Sequence, residues 1–268
     1  MLIFSPAWDG LQNQNTFQVE ELASHGFIVA GIDHFAAGAM PDLQIDFSTD
    51  AGFERFLKNA RSQVKQRAAD VRFVLDEIEK LNRAENSFLR GRADVSRVGV
   101  FGHSFGGAVA AQVCADDARF KAGIDMDGVL FGDATRARLE KNGKNAQSFL
   151  FMNDDTKPPT TEQAASNNYS KWLADGFRDM DAFLHRNGGA KITISGAAHE
   201  NFSDAPLFTR LRRLTDAGKI NPRRAMKIIN SYSVAFFEKH LADKPAPLLD
   251  ENESIFPEAS LEKFQPDE

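Results

Sequence analysis

The chain has 268 residues, 42% hydrophobic and 26% charged, which is ample material for a sizeable core. A net charge of −6 with no basic run or basic helix face argues against a nucleic acid or other polyanionic partner. The single cysteine, Cys114, excludes an intrachain disulfide, and no apolar stretch approaches the length of a membrane span.

Leu2-Ile3-Phe4 reads as a buried strand with nothing leading into it. Further strands, and with them a targeting segment, are therefore expected to precede this sequence. MLIFSP carries no basic n-region or long apolar stretch, so no signal peptide is visible. The compartment stays open between cytoplasm, periplasm and secretion.

Residues 15–25 read as a helix stopped by Gly26. The continuous apolar run 27–32, ending at Asp33, predicts a strand buried on both faces. The longest helix is expected over about 56–81, where Val64, Ala68, Val71, Leu75 and Ile78 recur at spacings of three and four. That stripe predicts a helix packed on a sheet. A strand over 97–101 and a helix over 105–114 come next, followed by apolar runs at 120–126 and 148–152. Residues 162–187 look helical up to Gly188-Gly189, residues 191–194 form a β-branched strand, and 222–241 form a last helix with Pro222 in its first turn. Strands alternating with helices predict parallel βαβ units in a sheet covered on both faces. No repeat or linker divides the chain, so a single domain over 1–268 is expected. The Pro-, Asp- and Glu-rich residues from Lys244 onward are read as an extended tail lying partly on the surface.

Gly102-His103-Ser104-Phe105-Gly106 fits G-x-S-x-G, preceded by the strand Val98-Gly99-Val100-Phe101 and followed by the helical Ala108-Val109-Ala110-Ala111. Small residues two before and two after the serine allow a sharp strand-to-helix turn that exposes its hydroxyl, which makes Ser104 a candidate nucleophile. A serine needs a base. Of the histidines after Ser104, His185 and His240 lie in charged helical segments and read as solvated, whereas His199 follows the strand 191–194 in a small-residue loop. Functional groups of α/β sheets sit in such loops, so His199 is the candidate base. Among the acids, Asp125 lies inside a strand, while Asp127, and Asp154 with its neighbour Asp155, follow strand ends. The residues alone leave Asp127 and Asp154 level. One oxyanion N–H is expected from Phe105, the other from the loop Ser5-Pro6-Ala7-Trp8-Asp9-Gly10. Pro6 has no N–H, which leaves Trp8 or Ala7.

Phe4-Ser5-Pro6-Ala7-Trp8, the run 22–30, Gly102–Gly107, Gly123-Ile124-Asp125-Met126-Asp127 and Ala197-Ala198-His199-Glu200-Asn201-Phe202 together resemble the platelet-activating factor acetylhydrolase family of α/β-hydrolases. The resemblance runs from Met1 past His199. It implies an α/β-hydrolase fold and a calcium-independent serine esterase with no metal or cofactor. It also implies Ser104 as nucleophile, His199 as base, Asp127 rather than Asp154 as acid, and Trp8 as the second oxyanion donor. The first loop departs from the family pattern, with Pro6-Ala7 where a His-Gly is usual. The expected function is hydrolysis of a small-molecule or lipid carboxylic ester with a short acyl group. Phe131, Phe202, Phe208 and Trp8 are candidates for an apolar pocket. The alternatives are a dienelactone-hydrolase-like or polyester-cleaving esterase, and a non-catalytic binding module on the same scaffold. Oligomeric state is not legible.

Overall fold

Strand residues alternate between two faces, and in this chain both faces must be apolar. In the computed structural model Met1, Ile3, Val98, Val100, Phe149 and Phe151 enter one hydrophobic cluster, while Leu2, Phe4, Phe101, Leu150 and Met152 enter a second. This pleat explains the continuous apolar runs, since a strand covered on both sides has no polar face to show. The structure describes residues 1–35, 42–141, 146–208, 216–251 and 255–267.

Among the described residues the chain runs β1 (Leu2–Ser5), α1 (Thr16–Ser24), β2 (Val29–Gly31), α2 (Asp50–Arg83), β3 (Val98–His103), α3 (Phe105–Asp116), β4 (Phe120–Met126), β5 (Ser148–Asp154), α4 (Thr161–Ser166), α5 (Asn168–Asn187), β6 (Gly189–Ile194), α6 (Ala205–Phe208), α7 (Pro222–Ala242), α8 (Pro247–Asp250) and β7 (Ala259–Phe264). The strands form one seven-stranded sheet in the order β2-β1-β3-β4-β5-β6-β7. Every neighbouring pair is parallel except β6 and β7. Helices α2, α3 and α5 bury side chains against the first face, and α1 and α7 against the second. The mostly parallel sheet with helices on both faces agrees with the α/β-hydrolase expectation. No helix among the described residues is long and apolar enough to cross a membrane.

Capping explains where the helices depart from the sequence reading. Helix α2 begins at Asp50, ahead of the apolar stripe, because the Thr49 side chain accepts a hydrogen bond from Gly52 N–H and Phe53 is already buried. The single helix expected over 162–187 is two. Thr160 and Gln163 form a capping box on α4, and Asn167 breaks the run by capping α5 through Ser170 N–H.

Three expectations are corrected. The run 27–32 is not a strand buried on both faces: only Val29–Gly31 pairs, at the sheet edge, and Ile28 is 37% exposed. His240 is not solvated, since its ring packs 4.6 Å from that of Phe236 and burial pulls its imidazole down to about 4. The segment from Lys244 is not a surface tail: residues 259–264 pair antiparallel with β6, from Gly189↔Phe264 to Ile194↔Ala259. Within that segment, residues 252–254 and 268 lie outside the described residues. β7 was missed because Ala259-Ser260-Leu261-Glu262-Lys263-Phe264 is half polar, as suits a strand at the sheet edge with one face only partly covered.

Removing residues 259–268 strips the ladder from β6 and the packing of Leu261, which is on the order of 2 kcal/mol from apolar burial alone. We expect the melting temperature of the truncated protein to fall by about 4–8 °C in a calorimetric scan. An unchanged melting temperature would mean that β7 adds nothing to the sheet.

Candidate active site

The carboxyl ends of five adjacent parallel strands lie along one edge of the sheet and carry the candidate residues, as expected of open α/β sheets. β1 leads into Ser5–Trp8, β3 into Ser104, β4 into Asp127 and β5 into Asp154; the loop after β6 carries His199.

The turn at Ser104 is possible only because backbones touch there. A Cβ on Gly106 would lie 2.0 Å from Ser5 O, and one on Gly102 would lie 2.2 Å from the Gly106 carbonyl. Glycine at both positions lets the start of α3 press onto the end of β1. Ser104 itself takes φ 56° and ψ −120°, a left-handed strain for a side-chain-bearing residue. Its N–H donates to Met126 O at 2.7 Å, which ties the turn to the end of β4.

His199 Nε2 lies 3.0 Å from Ser104 Oγ, and His199 Nδ1 lies 2.6 Å from Asp127 Oδ2. Asp127 takes φ 56°, and its N–H donates to Met152 O. Its other oxygen, Oδ1, accepts from the backbone N–H of Asp154 at 2.9 Å. Both oxygens of Asp127 are thereby engaged. The Asp154 carboxylate turns instead to Thr156, accepting from its N–H and its hydroxyl, each at 2.9 Å. Asp155 accepts from Gly196 N–H at 2.8 Å, which braces the loop that carries His199. Asp125 is fully buried beneath the turn and accepts from Gly128 N–H at 2.8 Å.

These environments push the ionisable groups apart. Burial raises the Asp125 carboxyl to about 8, with the nearby Asp127 charge adding to the rise and the Gly128 N–H opposing it. For His199, burial pulls the imidazole down, but the Asp127 hydrogen bond and charge outweigh it and leave the ring above its ordinary value. Burial drives His103 down to about 3, so it is neutral. Its Nε2 faces His199 O at 3.0 Å and therefore carries the proton, since a carbonyl only accepts. The two histidine rings lie 4.6 Å apart.

The structure also separates the two candidates in the first loop. Ala7 N–H is spent on Gln14 Oε1 at 2.8 Å. Among the described residues neither Trp8 N–H nor Phe105 N–H has a hydrogen-bond acceptor, the latter being a first-turn amide that the helix ladder leaves open. Trp8, Phe105, Ser104 and His199 line one cleft of about 550 Å³, with Phe56, Phe131, Trp172 and Phe177 in its walls. Of the expected pocket residues, Trp8 and Phe131 line this cleft. Phe202 is fully buried in the core and Phe208 is 83% exposed and does not line it. Among the described residues no group of three His, Cys, Asp or Glu side chains is placed to hold a metal ion.

Sequence reasoning missed Arg67, His103 and Gln14. Arg67 is fully buried on α2 and donates to Ala7 O and Trp8 O. The signal was present, since Arg67 is three residues after Val64 and four before Val71, on the buried face of the stripe.

A platelet-activating factor acetylhydrolase from Cavia porcellus is 27% identical over 274 residues, spanning 90% of this chain and 58% of that protein. A probable 1-alkyl-2-acetylglycerophosphocholine esterase from Arthroderma benhamiae is 27% identical over 270 residues, 96% of this chain and 65% of that protein. The chain thus spans between about half and two thirds of the length of the acetylhydrolase and acetylglycerophosphocholine esterase relatives it matches. The fold recurs in a solved ferulic acid esterase from Streptomyces cinnamoneus, with a TM-score of 0.66 at 24% identity over 97% of this chain and 72% of that one. The family described as platelet-activating factor acetylhydrolase, isoform II, matches residues 1–248, and the chain belongs to that family.

Proposed function

We propose that the protein hydrolyses carboxylic esters with short acyl groups, with Ser104 as nucleophile, His199 as general base and Asp127 as the group that orients and stabilises His199. The observation that carries this reading is the unbroken hydrogen-bonded series from Ser104 Oγ through His199 to Asp127. Ser104 Oγ attacks the ester carbonyl carbon as its proton passes to His199 Nε2. The carbonyl π pair moves onto oxygen, where the N–H groups of Phe105 and Trp8 receive the negative charge. As the carbonyl re-forms, the alkoxide leaves with the proton from His199. Water, deprotonated by His199, then cleaves the acyl-enzyme and frees Ser104.

The aromatic walls of the cleft suit the apolar part of a small-molecule or lipid ester. A short acyl group is supported by the relatives, one named as an acetylhydrolase and another as an esterase of an acetylated glycerophosphocholine.

Ser104→Ala is expected to abolish turnover of p-nitrophenyl acetate and labelling by a fluorophosphonate probe while leaving the melting temperature close to wild type. Labelling that survives in Ser104→Ala would remove the nucleophile assignment.

Asp127→Asn should lower kcat by roughly 10⁴, because the imidazole loses its orienting carboxylate. Asp154→Asn keeps the backbone N–H that holds Asp127 and should stay within about threefold of wild type. The reverse order would transfer the acid role to Asp154.

Only neutral His199 accepts a proton, so kcat/KM should rise with pH through a midpoint above 6.5, the ordinary histidine value. In Asp127→Asn, burial acts on the imidazole without the carboxylate, and the midpoint of the residual activity should move down. A midpoint that stays put would show that Asp127 does not set the ionisation of His199.

A further inference from the structure

Arg67 has an unusual environment for a guanidinium. It is 1% exposed and its hydrogen bonds go to two backbone carbonyls, Nη1 to Ala7 O at 3.1 Å and Nη2 to Trp8 O at 2.6 Å, with no carboxylate ion pair among the described residues. Burial draws it down only to about 10, so it stays charged at neutral pH. Burying an unpaired charge is costly, and a fold that retains one has a use for the donors it brings. Its guanidinium carbon lies 4.7 Å from the Trp8 ring and 5.0 Å from the Phe105 ring, and those two rings meet edge-on at 5.0 Å. The cation is held against the faces of both aromatic residues.

The geometry of the peptide group gives this clasp a direction. The Ala7–Trp8 bond is trans, so its carbonyl and its N–H point to opposite sides of one rigid plane. With Ala7 O held by Arg67, Trp8 N–H is turned to the side away from the guanidinium. Gln14 Oε1 fixes the preceding N–H, that of Ala7. A second brace comes from one turn further along α2. Asp70 Oδ2 lies 2.9 Å from His34 Nδ1, and His34 Nε2 lies 3.0 Å from Ser5 Oγ. Helix α2 thus braces the start of the loop that leaves β1 at two points, Ser5 and the Ala7–Trp8 peptide.

We propose that Arg67 is a positioning residue for oxyanion stabilisation, fixing the Ala7–Trp8 peptide and the rings of Trp8 and Phe105 so that the backbone N–H groups of those two residues converge on the developing negative oxygen. This inference rests on the ester-hydrolase reading above. Arg67 does not touch substrate. It acts through the two donors, and its planar fork does what a lysine ammonium cannot: it spans two carbonyls and stacks on a ring at once.

The test compares Arg67→Met and Arg67→Lys with wild type and Ser104→Ala on p-nitrophenyl acetate, at a temperature well below each melting point. Loss of a whole oxyanion donor costs about 10²–10³ in kcat, and a donor left in place but loosened should cost roughly 10–100-fold. Arg67→Met should therefore show that fall in kcat with KM within about twofold of wild type. The inhibition constant of phenylboronic acid, whose serine adduct is a tetrahedral anion, should rise by a similar factor. A role confined to loop stability would raise KM and lower the melting temperature without this matched loss of anion binding. Arg67→Lys, which keeps the charge if the methionine variant fails to fold, should lose about 5–10-fold in kcat.

A folded Arg67→Met or an Arg67→Lys protein with wild-type kcat and wild-type boronate affinity overturns the proposal. If Ser104→Ala is inactive in the same assay, that result removes only the role of Arg67. If wild type fails to turn over the ester, or Ser104→Ala turns it over normally, the reading of an ester hydrolase centred on Ser104 has itself failed.

Discussion

The site depends first on a contact in which no side chain takes part. The start of α3 rests on the end of β1 so closely that a single added carbon at Gly106 would fall 2.0 Å from Ser5 O. That approach forces the reversal at Ser104, holds its backbone in the left-handed region, and brings the loop from β1 alongside the first turn of the helix. Steric exclusion of one methyl group thereby sets the relative position of the hydroxyl and both candidate oxyanion donors. Strain of this kind persists only where the surroundings over-determine it, and here the bond from Ser104 N–H to Met126 O and the packing of α3 on the sheet do so.

Four carboxylates crowd the ends of β4 and β5, and the backbone sorts them. Asp125 holds Gly128, Asp155 holds Gly196, and Asp154 closes a local turn onto Thr156. Asp127 alone faces an imidazole, with the Asp154 N–H steadying its second oxygen. The buried His103 completes the arrangement from behind by donating to the carbonyl of His199. Burial keeps that donor uncharged, so it braces the loop without adding a positive charge beside His199. Groups of one chemical type thus serve different ends according to which amide they meet and how much water reaches them.

What was legible in the sequence was whatever leaves a local trace. The apolar runs of β1, β3, β4 and β5, the strand–turn–helix around Ser104 and the small-residue loop around His199 are patterns within a dozen residues. Ala7 and Trp8 could not be separated because the deciding contact, Gln14 with Ala7 N–H, is a side-chain bond across a loop. Asp127 and Asp154 stood level because both follow strand ends, and only the register of β4 against β5 determines which carboxylate reaches across to His199. β7 escaped notice because an edge strand with one half-covered face carries no continuous apolar run. Arg67 was hidden by a reading that tracks apolar positions and passes over a charge at the same helical phase.

The loops that meet at the site come from distant parts of the chain. His199 reaches Ser104 across 95 residues and Asp127 across 72, while Arg67 reaches back 60 residues to Ala7. Contacts of such long sequence separation form only after much of the intervening chain has found its place, because each closes a large loop at an entropic cost. A fragment carrying the Ser104 turn alone would lack His199 and Asp127. Under the proposed ester hydrolysis, turnover would therefore gauge whether the entire sheet has assembled, and a nick between β3 and β6 that let the halves drift apart would abolish it even with each of the three side chains chemically intact.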